Sequence, residues 1–129
     1  MTYKLIIPGS LPGLNEYINA ERCHRIKAAK MKKSVENVIC YLIRIQLKGV
    51  HIKKPVWISY KWVERNRMRD KDNIAFARKF AQDSLVKAGT LTGDGWKEIS
   101  GFSDSFEVDA KNPRVEIEIM EDSENGIDL

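Results

Sequence analysis

The chain has 129 residues, 43% of them hydrophobic and 31% charged, a length and balance that fit one soluble globular domain with a single core. No apolar run approaches the roughly 18 residues that a membrane span needs, and the opening "MTYKLIIPGSLPG" carries only a short apolar patch broken by Pro8, so a cytoplasmic protein with no membrane partner is expected. The net charge of +4 hides an asymmetry, because residues 1–71 hold 16 Lys/Arg against 5 Asp/Glu while residues 72–129 hold 6 against 13.

"TYKLIIP" (2–8) reads as a strand, short and β-branched, stopped by Pro8-Gly9. Residues 9–20 read as loop, punctuated by Gly, Pro and Asn. From about Arg22 to Lys48 the pattern becomes helical: Met31, Val35, Val38, Leu42 and Ile45 recur at three- and four-residue steps, with an internal break expected at Ser34 or at a residue before Met31 and a stop at Gly49. Cys23 and Cys40 lack zinc-ligand spacing and read as free thiols, and two isolated histidines, His24 and His51, give no nucleophile motif.

"PVWISYKWV" (55–63) alternates as a strand with aromatic residues on both faces. A second helix is predicted from about Asn73 to Ala88, ending at Gly89. "KEISGFSDSFEVD" (97–109) and "RVEIEIM" (114–120) follow as strands, and Asn112-Pro113 between them suggests an antiparallel pair. The predicted fold is α+β, in the order βαβαββ, with one mixed sheet and two main helices packed against it. Residues 1–120 form the domain, and the acidic residues 121–129 form a tail expected to fray.

"RDKDN" (69–73) sits where the second strand hands over to the second helix, and places Asp70 and Asp72 in a basic stretch. Two readings compete. Asp72 caps the helix and Asp70 pairs with an arginine. Alternatively, the two carboxylates hold one Mg²⁺, an ion usually bound by one or two carboxylates, waters and substrate phosphates. Such an ion would polarise a phosphodiester and help ionise a bound water. On a continuous helix Lys79 lies two turns below Asp72 and leans back towards it, although it also forms an ordinary pair with Asp83. Asp94, in a Gly-Asp-Gly turn, is a third candidate acid or simply a turn former.

"RDKDN", a lysine-bearing helix, "LVKAG" and "GDGWKEI" in this order resemble the RusA family of Holliday junction resolvases, chiefly over residues 60–100. The opening strand and "LNEY" (14–17) add to the likeness. The resemblance implies a homodimeric α/β endonuclease domain over residues 1–120 that cuts two opposed strands of a four-way DNA junction, with Mg²⁺ and no small-molecule cofactor. It implies Asp70, Asp72 and Asp94 as metal ligands and Lys79 as the catalytic lysine. The family's lysine follows the second aspartate by about one helical turn; here it is two turns away, which makes Arg78 a rival. Arg22, Arg25, Lys27, Lys30, Lys32 and Lys33 are expected along DNA backbones, with Arg65, Arg67 and Arg69 beside the metal. Trp57, Trp62 and Trp96 are expected in the core or at a dimer contact. The alternative is a catalytically silent, structure-selective DNA-binding protein on the same scaffold; a partner-binding protein whose acids only cap helices is a third reading.

Overall fold

Strand β2 (Val56–Glu64) organises the structure, because its alternating residues Val56, Ile58, Tyr60 and Trp62 are all buried in the one core cluster. The computed structural model describes residues 1–122, so all of the expected tail except Glu121 and Asp122 lies outside the described residues. The other elements are β1 (Thr2–Pro8), α1 (Leu14–Cys23), α2 (Arg25–Gln46), α3 (Lys71–Ala75), α4 (Arg78–Lys87), β3 (Ile99–Val108) and β4 (Arg114–Glu121). They form an α+β domain with one mixed four-stranded sheet in the order β1-β4-β2-β3. Among the described residues no helix is long and apolar enough to cross a membrane.

Both helical regions are divided. Residues 14–20, expected as loop, belong to α1: Glu16 Oε1 accepts the Gly13 amide at 3.3 Å, and Tyr17 packs its ring 5.5 Å from that of Phe76. The break falls before Met31, at His24, rather than at Ser34. His24 is extended (φ −172°) and its Nδ1 accepts the Ile26 amide at 3.1 Å, so one residue ends α1 and caps α2. The second region breaks at Phe76–Ala77, where the Ala77 amide closes on Ile74 O and the Lys79 amide on Phe76 O, each at 3.2 Å and each spanning three residues. Gly89 ends α4 at φ 81°, a left-handed turn that suits glycine.

The strands differ from expectation in one pairing. β4 lies antiparallel between β1 and β2, and β3 runs parallel to β2 on its far side, so β3 and β4 do not pair. Burial explains the order: Val115, Ile117 and Ile119 of β4 are buried as an inner strand requires, whereas β3 is partly exposed along its length. Glu121, expected in the tail, is the last residue of β4 and pairs with Val56. The outer edge of β1 is covered by Gln46, whose side-chain amide exchanges two 2.8 Å hydrogen bonds with the backbone of Ile6.

Helices α2 and α4 are joined by charge. Glu36 is 1% exposed; it pairs with Lys87 and lies 3.8 Å from Lys32, which reaches Asp83 at 3.2 Å. The hydrogen bond to Asp83 holds the Lys32 pKa above its ordinary value.

Gly13 is the tightest backbone approach outside the sheet. A Cβ there would stand 2.9 Å from the backbone oxygen of Asn73 and 2.6 Å from its side-chain oxygen. Gly13→Ala is therefore expected to cost about 1–3 kcal/mol through overpacking, read as a lower urea midpoint with an unchanged slope.

Candidate functional site

Where β2 ends, Arg69 draws three segments together. Its Nε and Nη2 donate to Glu64 Oε1 at 3.1 and 2.9 Å, and its Nη1 donates to Leu11 O at 3.0 Å and to Glu16 Oε1 at 3.4 Å. Asn73 adds a second tie, its Oδ1 accepting the Asn15 amide at 2.9 Å. Asp70 and Asp72 lie between these two ties, on a backbone fixed from both sides.

The two aspartates line an open cleft of about 800 Å³. Glu64, Arg67 and Lys71 share the cleft with them, and Ile74, Phe106 and Val108 supply apolar wall. Asp70, not Asp72, is the N-cap residue of α3, yet its side chain makes no capping bond. Among the described residues its carboxylate has neither a hydrogen bond nor an ion pair. Asp72 stands within the first turn and accepts only the Asn73 amide, at 3.0 Å. The reading of Asp72 as the helix cap is thus replaced by one in which both carboxylates are exposed at the cleft.

Asp94 lies elsewhere. It lines a second cavity, of about 340 Å³, with Phe76, Arg78, Lys79, Asp83 and Phe102. The parallel register explains the separation: β3 begins with Ile99 beside Val56, at the end of β2 opposite Asp70, and Asp94 precedes Ile99 by only five residues. Among the described residues no group of three or more His, Cys, Asp or Glu side chains is gathered to hold a metal ion. Asp70 and Asp72 still suit Mg²⁺ in its usual mode, with phosphate and water completing the shell. Asp94 does not join them in this cleft.

Lys79 accompanies Asp94 rather than the pair. The break at Phe76–Ala77 shifts the phase on which a two-turn alignment with Asp72 depends, and Lys79 Nζ rests 3.7 Å from Asp83. Arg78 is committed: it is ion-paired with Asp104 and its guanidinium lies 4.4 Å from the centroid of Phe102.

The basic candidates also divide. Arg22, Arg25, Lys27, Lys30 and Lys33 are exposed on α1 and α2, and Arg65 and Arg67 are exposed beside the cleft. Lys32 is held by Asp83 and Glu36, and Arg69 by Glu64 and Glu16, so both serve internal ion pairs. Trp62 is core, Trp57 lies over Gly101 and is 40% exposed, and Trp96, expected in the core or at a dimer contact, is fully exposed. Sequence reasoning passed over Glu64, Lys71 and Phe106. Lys71 was visible inside "RDKDN", and Phe106 carried the strand alternation of "FSDSF".

No protein-family model and no curated protein sequence matches the chain.

Arg69→Met removes the guanidinium that pairs with the nearly buried Glu64 carboxylate. Loss of these charge-assisted hydrogen bonds is expected to lower stability by about 1.5–3 kcal/mol, measured by chemical denaturation. A loss below about 0.5 kcal/mol, the scale of ordinary surface substitutions, would remove the clasp from the account of the site.

Proposed function

We propose that the chain is a cytoplasmic, Mg²⁺-dependent endodeoxyribonuclease that acts as a homodimer on four-way DNA junctions, in keeping with its resemblance to the RusA family. The observation that carries this reading is the pair Asp70 and Asp72: two exposed carboxylates on a braced backbone, lining a cleft of about 800 Å³, beside Arg67 and Lys71. A carboxylate that neither caps its helix nor pairs with a neighbouring cation is free to take a metal.

Mg²⁺ bound there supplies a Lewis acid for the scissile phosphate and lowers the pKa of bound water. The chain's own part is positional. Asp70 and Asp72 orient the ion, Arg67 and Lys71 attract and hold the phosphate, and the Arg69 clasp keeps the acids in place. Lys79, with 62% of its side chain exposed, is better placed than the committed Arg78 to contact DNA leaving the cleft, with Asp94 beside it. The exposed cations of α1 and α2 bind backbone phosphates without reading sequence. One Asp70/Asp72 pair per chain and two strands to cut call for a two-fold dimer.

The position of Asp94 favours one second reading, a junction-binding protein that does not cut, since only two of the three expected acids share a cleft. Gel-resolved cleavage of a synthetic four-way junction, against a linear duplex and with or without Mg²⁺, separates the two. Asp70→Asn and Asp72→Asn are each expected to lower cleavage about a hundredfold or more while junction binding is kept. Binding without any Mg²⁺-dependent cleavage by the wild type would leave the silent binder.

Sedimentation at micromolar concentration is expected to show a dimer, and a monomer that cuts both strands in one event would sink the symmetry argument. Replacing Lys30 and Lys33 together with Ala is expected to reduce the salt dependence of duplex binding by a slope of about 1.8. Lys32→Ala, which breaks an internal pair, is expected to alter stability and leave that slope unchanged.

A further inference from the structure

β3 is an edge strand, paired with β2 alone. Phe102, Asp104 and Phe106 stand beside Ile58, Tyr60 and Trp62, so they share the side of the sheet that carries the helices. The helices leave this side of β3 partly open: Phe102 is 44% exposed and Phe106 is half-buried. Each of these two rings carries a cation. The Arg78 guanidinium lies 4.4 Å from the Phe102 centroid, and Lys71 Nζ lies 5.7 Å from the Phe106 centroid. Asp104, between them, pairs with Arg78 and accepts the indole N–H of Trp62 at 2.8 Å, which fixes Arg78 over its ring.

The two rings also connect the two cavities. Phe106 lines the cleft of Asp70 and Asp72, and Phe102 lines the cavity of Asp94 and Lys79. They stand four positions apart on the strand, about 13 Å. Beyond Phe102, Trp96 is fully exposed two residues after Asp94, on a turn pinned by the Gly95 amide donating to Glu98 Oε1 at 3.1 Å.

We propose that this side of β3 is a path for unpaired, single-stranded DNA, with one base stacking on Phe106 and another on the Arg78 guanidinium that Phe102 backs, and phosphates held by Lys71, Arg67 and Lys79. A base within a duplex has both faces covered by its neighbours, so only an unstacked base can rest on a protein ring. Alternation of aromatic rings with cations is what a sequence-tolerant single-strand site requires. Lys71 has a long, flexible stem and can move its ammonium from the Phe106 ring to a phosphate. This path rests on the DNA-cleaving reading above and specifies its substrate: a strand that is unpaired next to the acids, as at a branch point. It also gives Asp94 and Lys79 contact with the same strand as Asp70 and Asp72 without requiring the acids to meet.

Fluorescence anisotropy with a labelled oligo-dT of about 16 nucleotides and a linear duplex tests the path without any cleavage. Phe102→Leu and Phe106→Leu keep apolar volume and remove the ring. Each is expected to weaken oligo-dT binding about 5- to 100-fold while leaving duplex affinity and the salt slope unchanged. Lys71→Met is expected to lower the single-strand salt slope by about 0.7. The proposal is overturned by leucine variants that bind oligo-dT like the wild type, by an equal loss on duplex, or by a wild type that does not bind oligo-dT. Leucine variants that change the sedimentation coefficient but not oligo-dT affinity would instead make the β3 edge a contact between copies. Thermal melts check folding, and if Phe106→Leu does not fold, the more exposed Phe102 carries the test. Oligo-dT binding without junction cleavage would refute the nuclease and leave the path; cleavage with unaffected leucine variants would do the reverse.

Discussion

The guanidinium of Arg69 is the contact on which the site depends. Glu64 ends the central strand with its side chain nearly buried, and a buried carboxylate without a partner is costly. Arg69 meets that need and, with its remaining donor, binds the carbonyl of Leu11 and the carboxylate of Glu16. The same group that satisfies Glu64 therefore attaches the loop before α1 to the end of β2. Gly13 permits the close approach, because any side chain there would meet Asn73. Asp70 is next in the chain to Arg69, so its position follows from a contact made for another reason. This is how an exposed carboxylate can be held on rigid backbone without being used by the fold.

Much of this was legible in the sequence where periodicity was strong. β1, β2 and β4 follow from alternation, and Gly89 marks the end of α4 with the positive φ that its position requires. The helix breaks were not legible, because each depends on a tertiary partner: α1 forms over Leu14–Cys23 once Tyr17 finds Phe76 and Phe80, and α3 separates from α4 by a tight local turn that no proline or glycine announces. The β3–β4 pairing was misread because a short connection normally joins neighbours. Here Asp109–Pro113 passes over the end of β2, its Asp109 amide donating to Glu64 O at 2.8 Å. At the site, "RDKDN" put Asp70 and Asp72 close together, and both line one cleft, but the position of Asp94 depends on the direction of β3, which local sequence does not encode.

Charge is distributed by the same logic. The basic excess of residues 1–71 suggested one uniform positive surface, yet two of its members are consumed inside the fold. Lys32 joins Asp83 to the buried Glu36, and Lys87 closes that group from α4. Such pairs are close to neutral for stability when desolvation is counted, but removing one partner leaves a buried charge, which fixes how α2 sits on α4. Exposed cations on α1, α2 and the segment after β2 remain available to a polyanion. On the open face of the sheet Arg114 and Lys4 flank Glu116 and hold its carboxyl below the usual range.

That distribution bears on how acids and DNA can share one surface. Two exposed carboxylates repel a phosphate at any distance shorter than the screening length, about 8 Å at physiological salt, so cations must stand closer to the strand than the acids do. Lys71 meets this condition by sequence, lying between Asp70 and Asp72, and Arg67 meets it by lining the same cleft. Asp94 has Lys79 and Arg78 in its own cavity. The edge strand that runs between the two cavities carries aromatic rings rather than further acids on its helix side, apart from Asp104, whose charge is matched by Arg78. A strand lying along the helix side of β3 would meet rings and cations between the two cavities; the carboxylates there without an ion pair among the described residues are Asp94 in the second cavity and Asp70 and Asp72 in the first, where a divalent ion is the natural complement.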